Sequence, residues 1–172
     1  MSNSDLQEDL KRFCSIALEL GAEDAKVIKA EDVVVADWVR LKCQYGCDGY
    51  GRSLTCPPYS PTSDQTRKIL SCYKYAILVR FPPGVDIHRT MAKLEREAFL
   101  SGYYSAFAMV AGPCTLCDEC SLDYCRNPEL ARPSMEACGI DVFSTVRRAG
   151  FNIHVLRNRD EKPTYYALLL LV

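Results

Sequence analysis

The sequence predicts an α+β (mixed α/β) fold: a single metal-binding domain over residues 1–172, with a mixed sheet, packed helices and cysteine-rich metal-binding loops. Three observations point there. Apolar residues recur at helical spacing in several segments. Short β-branched and aromatic runs alternate with those segments. Two stretches dense in Cys, Gly and Pro interrupt both patterns. A chain of 172 residues suits one domain, and 48% hydrophobic with 25% charged residues is an ordinary globular mix that can bury a core.

Ser4 with Gln7 reads as a capping box. Leu6, Leu10, Phe13, Ala17 and Leu20 follow on one face, and Gly21 stops the helix, which spans 5–20. Residues 26–29 and 33–36 read as short strands around a Glu31-Asp32 turn. The stretch 37–61, with Cys43, Cys47, Cys56, three glycines and Pro57-Pro58, reads as an irregular loop shaped by a bound metal. Thr62 and Gln65 form a second capping box, opening a helix to about residue 71. Residues 75–81 are a strong strand, ended by Pro82-Pro83-Gly84. Ile87, Met91, Leu94 and Ala98 mark a helix over 87–101, stopped by Gly102, and 105–111 is a further strand. Asp141 caps a helix to residue 149, with Gly150 at its C′ position. Strands at 153–157 and 165–172 close the chain as a hairpin. The unit 75–111 reads as a strand–helix–strand crossover.

Charge and hydropathy exclude several classes. The net charge of −1 gives no reason to expect nucleic acid or an anionic membrane as partner. The polar, acidic N-terminus lacks the apolar core of a signal peptide, and no apolar run approaches the ~18 residues of a membrane span. A cytoplasmic location follows as the expectation. In that reducing compartment the ten cysteines are expected to bind metal rather than form disulfides.

The second cysteine stretch is Cys114, Cys117, Cys120 and Cys125, spaced C-x2-C-x2-C-x4-C. Three thiolates at x2 spacing let a short loop wrap a cubane corner, close to the ferredoxin run C-x2-C-x2-C-x3-C-P. The fourth spacing is one residue longer, and Pro128 stands three positions after Cys125. Structural zinc prefers paired C-x2-C knuckles and is the alternative cofactor. The first stretch is Cys43, Cys47 and Cys56, spaced C-x3-C-x8-C-P-P, with Gly46, Gly49 and Gly51 between. It has no local fourth cysteine. Cys138 or Cys125 completes it, or one iron is open to substrate. The cofactor expectation is one or two 4Fe–4S clusters, with a single cluster and spare thiols as the conservative version. Cys14 reads as a small buried hydrophobe and Cys72 as structural. His88, placed at the surface, and His154, placed in a strand, lack partner spacing.

Arg40, Arg52, Arg126 and Arg132 flank the cysteines, where they would stabilise a negative cluster, bind an anionic substrate or simply stay solvated. Tyr45, Tyr50, Tyr59 and Tyr124 would shield the cluster. No P-loop, dinucleotide-binding glycine motif or nucleophile elbow occurs.

Three runs carry a resemblance: Leu41 through Cys43 and Cys47 to Cys56-Pro57-Pro58-Tyr59-Ser60-Pro61; Gly112-Pro113-Cys114 to Cys125-Arg126-Asn127-Pro128; and Arg132 through Cys138-Gly139-Ile140-Asp141 to Val142. Together they resemble the signature of the domain-of-unknown-function 2284 family, prokaryotic proteins described as predicted metal-binding. The resemblance implies a metal and supplies no reaction. The expected roles are an electron carrier or redox accessory docking a redox partner protein, an enzyme with an open-iron cluster acting on a sulfur-containing or anionic small molecule by sulfur removal, sulfur transfer or reductive activation, or a structural zinc module.

Overall fold

The computed structural model describes residues 3–172. Its spine is a four-stranded sheet of β1 (Asp24–Lys29), β2 (Tyr75–Phe81), β3 (Phe107–Met109) and β4 (Tyr165–Leu170), in the order β1-β2-β4-β3 with every pairing antiparallel. The helices are α1 (Asn3–Glu19), α2 (Asp37–Gly46), α3 (Ser63–Leu70), α4 (Ile87–Leu100) and α5 (Val142–Arg148).

β2 and β4 are apolar almost throughout because both faces of the sheet are covered. Ile77, Val79, Phe81, Ala167, Leu169 and Leu171 face one core with Leu10 and Phe13 of α1 and Met91 and Leu94 of α4. Ala76, Leu78, Tyr166, Leu168 and Leu170 face a second core with Leu70, Met135, Cys138, Ile140 and Val146. The period-2 alternation of side chains sorts the two sets. Burying each fully covered Leu, Ile or Phe stabilises the fold by about 1.5–3 kcal/mol. The cysteine segments lie on the side of the second core.

Local signals work where they are complete. Thr62 accepts from the Gln65 amide at 3.2 Å while the Gln65 side chain accepts from the Thr62 amide at 2.8 Å, so the capping box starts α3. The Asp141 carboxylate accepts from the Ser144 amide at 3.0 Å and starts α5, and the Gly150 amide donates to Arg147 O as that helix ends.

Several expectations change. Residues 37–61 are not loop throughout: the first ten form α2. Residues 33–36 are no sheet strand; Val35 makes a single antiparallel bridge to Ile140, and the Ala36 amide donates to Gly139 O at 2.9 Å. That segment faces the turn before α5, away from every sheet edge. Residues 153–157 form no strand and there is no terminal hairpin, because β4 is already paired on both sides by β2 and β3. The crossover is real but split: β2 and β3 are each antiparallel to β4, hence parallel to each other, with β4 between them. The strand expected over 105–111 shrinks to Phe107–Met109, continued by a Val110–Ser134 bridge. His88 also moves inward: it is buried in α4, its Nε2 lying 3.4 Å from Pro113 O.

Gly139 links the second core to α3. Its φ is +79°, and a Cβ there would lie 2.5 Å from Ser63 Oγ and 3.4 Å from Ser63 Cα. Gly139→Ala should therefore cost about 2–4 kcal/mol in urea denaturation, combining left-handed backbone strain with overpacking. Adding Ser63→Ala removes the closest clash and should recover about half of the loss; no recovery in the double mutant would show that backbone strain dominates.

Candidate metal centre

The first cysteine set is built on a helix. Cys43 lies inside α2 and Cys47 is its C-terminal cap, so the C-x3-C spacing is an i, i+4 pair on one helical face. The chain then reverses through turns, with Tyr50 N donating to Cys47 O at 3.3 Å, Arg52 N to Gly49 O at 3.2 Å and Gly51 N to Pro57 O at 2.8 Å. Gly51 takes φ +73°, and the Pro57–Pro58 peptide is cis. These turns return Cys56 to Cys47. A Cβ on Gly49 would lie 3.4 Å from Cys47 Sγ and 3.9 Å from Cys56 Sγ, so the glycine leaves open the space between the two sulfurs. Its amide sits 3.4 Å from Cys47 Sγ as a donor. Burial pushes the Cys43 and Cys56 thiols up, and the neighbouring Cys47 adds to both shifts.

Arg40 holds this arrangement together. Its Nη1 lies 2.7 Å from Ala137 O, 3.0 Å from Pro61 O and 3.0 Å from Ser60 Oγ, and Ser60 Oγ itself donates to Ala137 O at 2.6 Å. One guanidinium thus ties α2, the exit from Cys56 and the 3-10 turn Glu136–Cys138 into one body. Arg132 is equally committed elsewhere. It pairs with Glu95 through Nε–Oε2 at 2.8 Å and Nη2–Oε1 at 2.7 Å, and Glu95 also accepts from the Ala108 amide at 2.7 Å. Of the four flanking arginines, Arg52 and Arg126 are exposed and Arg40 and Arg132 serve as backbone clamps.

The second set sits on an irregular segment after β3, from Gly112 at φ +73° to the Arg132 clamp. Cys114, Cys117, Cys120 and Cys125 share the wall of one small cavity with Ser53, Leu54 and Thr55. Burial pushes the Cys114 thiol up; an amide hydrogen bond from Leu116 opposes this, and Cys125, Cys117 and Cys120 reinforce it. Asn127 Nδ2 donates to Cys117 Sγ at 3.1 Å. The two sets adjoin, because Ser53, Leu54 and Thr55, which lead into Cys56, line the second cavity.

Cys43, Cys47 and Cys56 face a different space, a cleft of about 640 Å³ between α2, the turn before α5 and the segment 152–165. Cys125 belongs to the second set. Cys138 lies behind Cys43, fully buried in the second core and outside the cleft wall, with burial pushing its thiol up to about 12. Cys14, half-buried with its thiol pushed up to about 11 by burial, and Cys72, exposed, stand apart from both sets. Tyr50 lines the cleft and Tyr124 the second cavity, both also exposed, whereas Tyr45 and Tyr59 are exposed and line neither. His154 is also exposed and pairs with Glu161 at 3.2 Å. Among the described residues no three His, Cys, Asp or Glu side chains converge tightly enough to share one metal ion.

Sequence reasoning missed α2, Glu136 and the roof of the cleft. The i, i+4 spacing of Cys43 and Cys47 was the available signal for α2. Glu136 and the roof carry none, since only tertiary folding brings residues 152–165 over the turn at 136–142.

The donor set fits a thiophilic metal group. It offers sulfur ligands in two sets, amide donors aimed at Cys47, Cys114 and Cys117, and a glycine gap between two sulfurs. Residues 26–171 match a family model described as a predicted metal-binding protein. No curated protein and no solved structure matches the chain.

Arg40→Met should destabilise the protein by about 2–4 kcal/mol, because the carbonyls it serves lose a charged donor. Arg40→Lys keeps a charged donor but has a shorter reach than the Nη1 that makes all three contacts, so it should recover less than half of that in urea titrations. A loss below ~0.5 kcal/mol for Arg40→Met would show that the clamp is idle.

Proposed function

The chain belongs to the domain-of-unknown-function 2284 family, and from that premise we propose that it carries iron–sulfur clusters of the 4Fe–4S type on two adjoining cysteine sets and works as an electron carrier or redox accessory. The observation that carries this reading is the sorting of seven cysteines into Cys43/Cys47/Cys56 and Cys114/Cys117/Cys120/Cys125, each set on its own cavity, with Ser53, Leu54 and Thr55 just before Cys56 lining the cavity of the second set. A bound cluster supplies one-electron exchange. The chain's own residues hold it, donate N–H groups to sulfur and so favour its reduced state, and keep water from the buried side. The triple of cysteines at x2 spacing supports a cluster over a single zinc ion, since structural zinc prefers paired C-x2-C knuckles. Zinc with ~2.3 Å bonds needs its sulfurs within about 3.8 Å of one another, whereas a cubane takes each thiolate on a separate iron.

A second reading has its own support. The first set presents three thiols to a cleft of ligand size with no fourth cysteine in its wall. An iron left without a thiolate there would act on a small molecule as a Lewis acid, which would make the protein an enzyme. A redox partner protein and a cytoplasmic setting belong to the carrier reading.

Anaerobic purification should give a brown protein with roughly four or eight irons per chain and matching acid-labile sulfide; a colourless protein containing zinc sinks the proposal. Cys117→Ala and Cys43→Ala should each remove a different component of the EPR spectrum of the reduced protein. A common loss of one signal by both would mean one cluster. Gly49→Ala discriminates further. Its methyl makes ordinary contacts of 3.4 and 3.9 Å with two sulfurs, so stability should stay within about 0.5 kcal/mol, while iron at the first set falls at least severalfold and the second-set signal persists.

A further inference from the structure

The donors to sulfur in the two sets differ in kind. Cys47 receives a backbone amide, that of Gly49, at 3.4 Å. Cys117 receives a side chain: Asn127 Nδ2 lies 3.1 Å from its Sγ, across 10 residues of sequence. A thiolate has no proton to give, so a deprotonated Cys117 takes the N–H end of that amide and not its oxygen. Asn127 also lines the second cavity, whose volume of about 20 Å³ has room for about one water. A half-buried amide there meets little competition from solvent for the sulfur.

Asn127 is held from outside the cysteine loop. Its carbonyl accepts from Leu130 N at 3.1 Å and from Ala131 N at 2.9 Å, which closes a turn over 127–131. Arg132 Nη1 donates into the same turn, to Pro128 O at 3.1 Å and Ala131 O at 2.8 Å. The other two nitrogens of that guanidinium are bound to Glu95 of α4, Nε at 2.8 Å and Nη2 at 2.7 Å. Both side chains of the pair are mostly buried, and a two-bond Arg–carboxylate contact fixes orientation as well as distance. Glu95 also accepts the β3 amide of Ala108. The amide that reaches Cys117 therefore hangs from α4 and the sheet through one guanidinium, while Cys117 itself sits on irregular chain.

We propose that Asn127 tunes the second centre: its N–H bond to Cys117 Sγ raises the reduction potential of the metal group held by Cys114, Cys117, Cys120 and Cys125, and the Arg132–Glu95 pair is the positioning element that keeps this bond in place. The proposal deepens the cluster reading and rests on it. An added electron increases the negative charge shared by a cluster's sulfurs, and an N–H aimed at one of them stabilises the reduced form more than the oxidised form. Arg132 acts by geometry alone. A displaced turn carries Nδ2 away from Sγ, and the bond weakens as it lengthens. The tuning is local to the second set, since Asn127 stands in the wall of the second cavity and not in that of the cleft.

Redox titrations followed by EPR on the anaerobically loaded protein test this, reading the component that Cys117→Ala removes. Asn127→Leu deletes the donor, adds no charge and fills the space a water would otherwise take. Its second-set component should keep its iron and become about tenfold harder to reduce, a potential ~59 mV lower for a one-electron couple, while the first-set component stays where it was. Arg132→Lys keeps the charge and loses the spread of nitrogens that holds the turn. It should make the same component about threefold harder to reduce in the wild-type background and change nothing further in Asn127→Leu. That dependence on Asn127 separates positioning from a general loss of stability. An unchanged potential in Asn127→Leu, loss of second-set iron from that variant, or an Arg132→Lys shift of equal size in both backgrounds overturns the proposal. Asn127→Leu decides the tuning by itself should Arg132→Lys fail to fold. The contact has its own readout in the metal-free protein. The ¹⁵N side-chain amide signal missing from Asn127→Leu should move in Cys117→Ala, while those of Asn152 and Asn158 stay; an unmoved signal rejects the contact whatever the metal. Iron and sulfide contents on the same samples decide the cluster reading separately. Iron with no shift of potential keeps the clusters and removes the tuning; zinc in place of iron removes both.

Discussion

Arg40 is the constraint on which the cysteine face depends. Among the described residues no carboxylate pairs with it; the charge is spent on Ala137 O, Pro61 O and Ser60 Oγ. All three contacts come from a single nitrogen, Nη1, so the clamp depends on where the long Arg40 side chain places that one charged donor. The consequence is geometric. α2 has only Val39 buried along its length, too little apolar contact to fix its position by packing. Its placement over the 3-10 turn Glu136–Cys138 therefore rests on the clamp and on the Ala36–Gly139 backbone bond. Gly139 in turn must be a glycine for α3 to approach. The position of Cys43 and Cys47 thus follows from polar contacts made by their neighbours rather than from a hydrophobic core of their own.

The sheet supplies the opposite kind of support. Its central pair, β2 and β4, is buried on both faces, so the second core presents a rigid floor from which the cysteine segments project. Rigid floor and polar clamp divide the work: the floor sets where the turn 136–140 lies, and the clamp sets where α2 lies relative to it. The second cysteine set is tied down from its far end. The Arg132–Glu95 pair joins the end of that segment to α4, and Glu95 simultaneously receives the β3 amide of Ala108. Between Gly112 and that clamp the backbone forms no regular element, and its short-range order comes from turns and from amide or side-chain donors to sulfur.

How much of this was legible in the sequence follows from where each signal lives. β2 could be read to the residue, because an apolar run bounded by Cys72-Tyr73-Lys74 and by Pro82-Pro83-Gly84 has one sensible reading. The capping box at Thr62 and the Asp141 cap were equally plain, being complete within four residues. α2 was missed since glycines and cysteines dominate the composition of 37–61 and hide a helical i, i+4 pair. Strand order was out of reach, as the insertion of β4 between β2 and β3 is decided by contacts across nearly 90 residues of chain. The same reason explains 153–157. Its Ile, Val and Leu have strand propensity, yet both edges of β4 are taken, and the segment roofs the cleft instead. The structure places Cys43, Cys47 and Cys56 on the cleft and Cys114, Cys117, Cys120 and Cys125 on the second cavity. What spacing could not show is that they adjoin, or that Cys138 turns into the core.

That adjacency narrows what the two sets can be to each other. Residues 53–56 form the partition: Ser53, Leu54 and Thr55 face the second cavity and Cys56 faces the cleft. Only this short run of chain separates the two cavities. On the two-cluster reading proposed above, charge on one centre would be sensed by the other through a poorly screened interior, so reducing one would lower the tendency of its neighbour to accept an electron. The second set has four thiols, sulfur-directed donors and a cavity too small for anything further; the first has three thiols and a roofed cleft. On the carrier reading proposed above, electrons entering by way of the second set would pass beside the cleft, which has space for a small molecule.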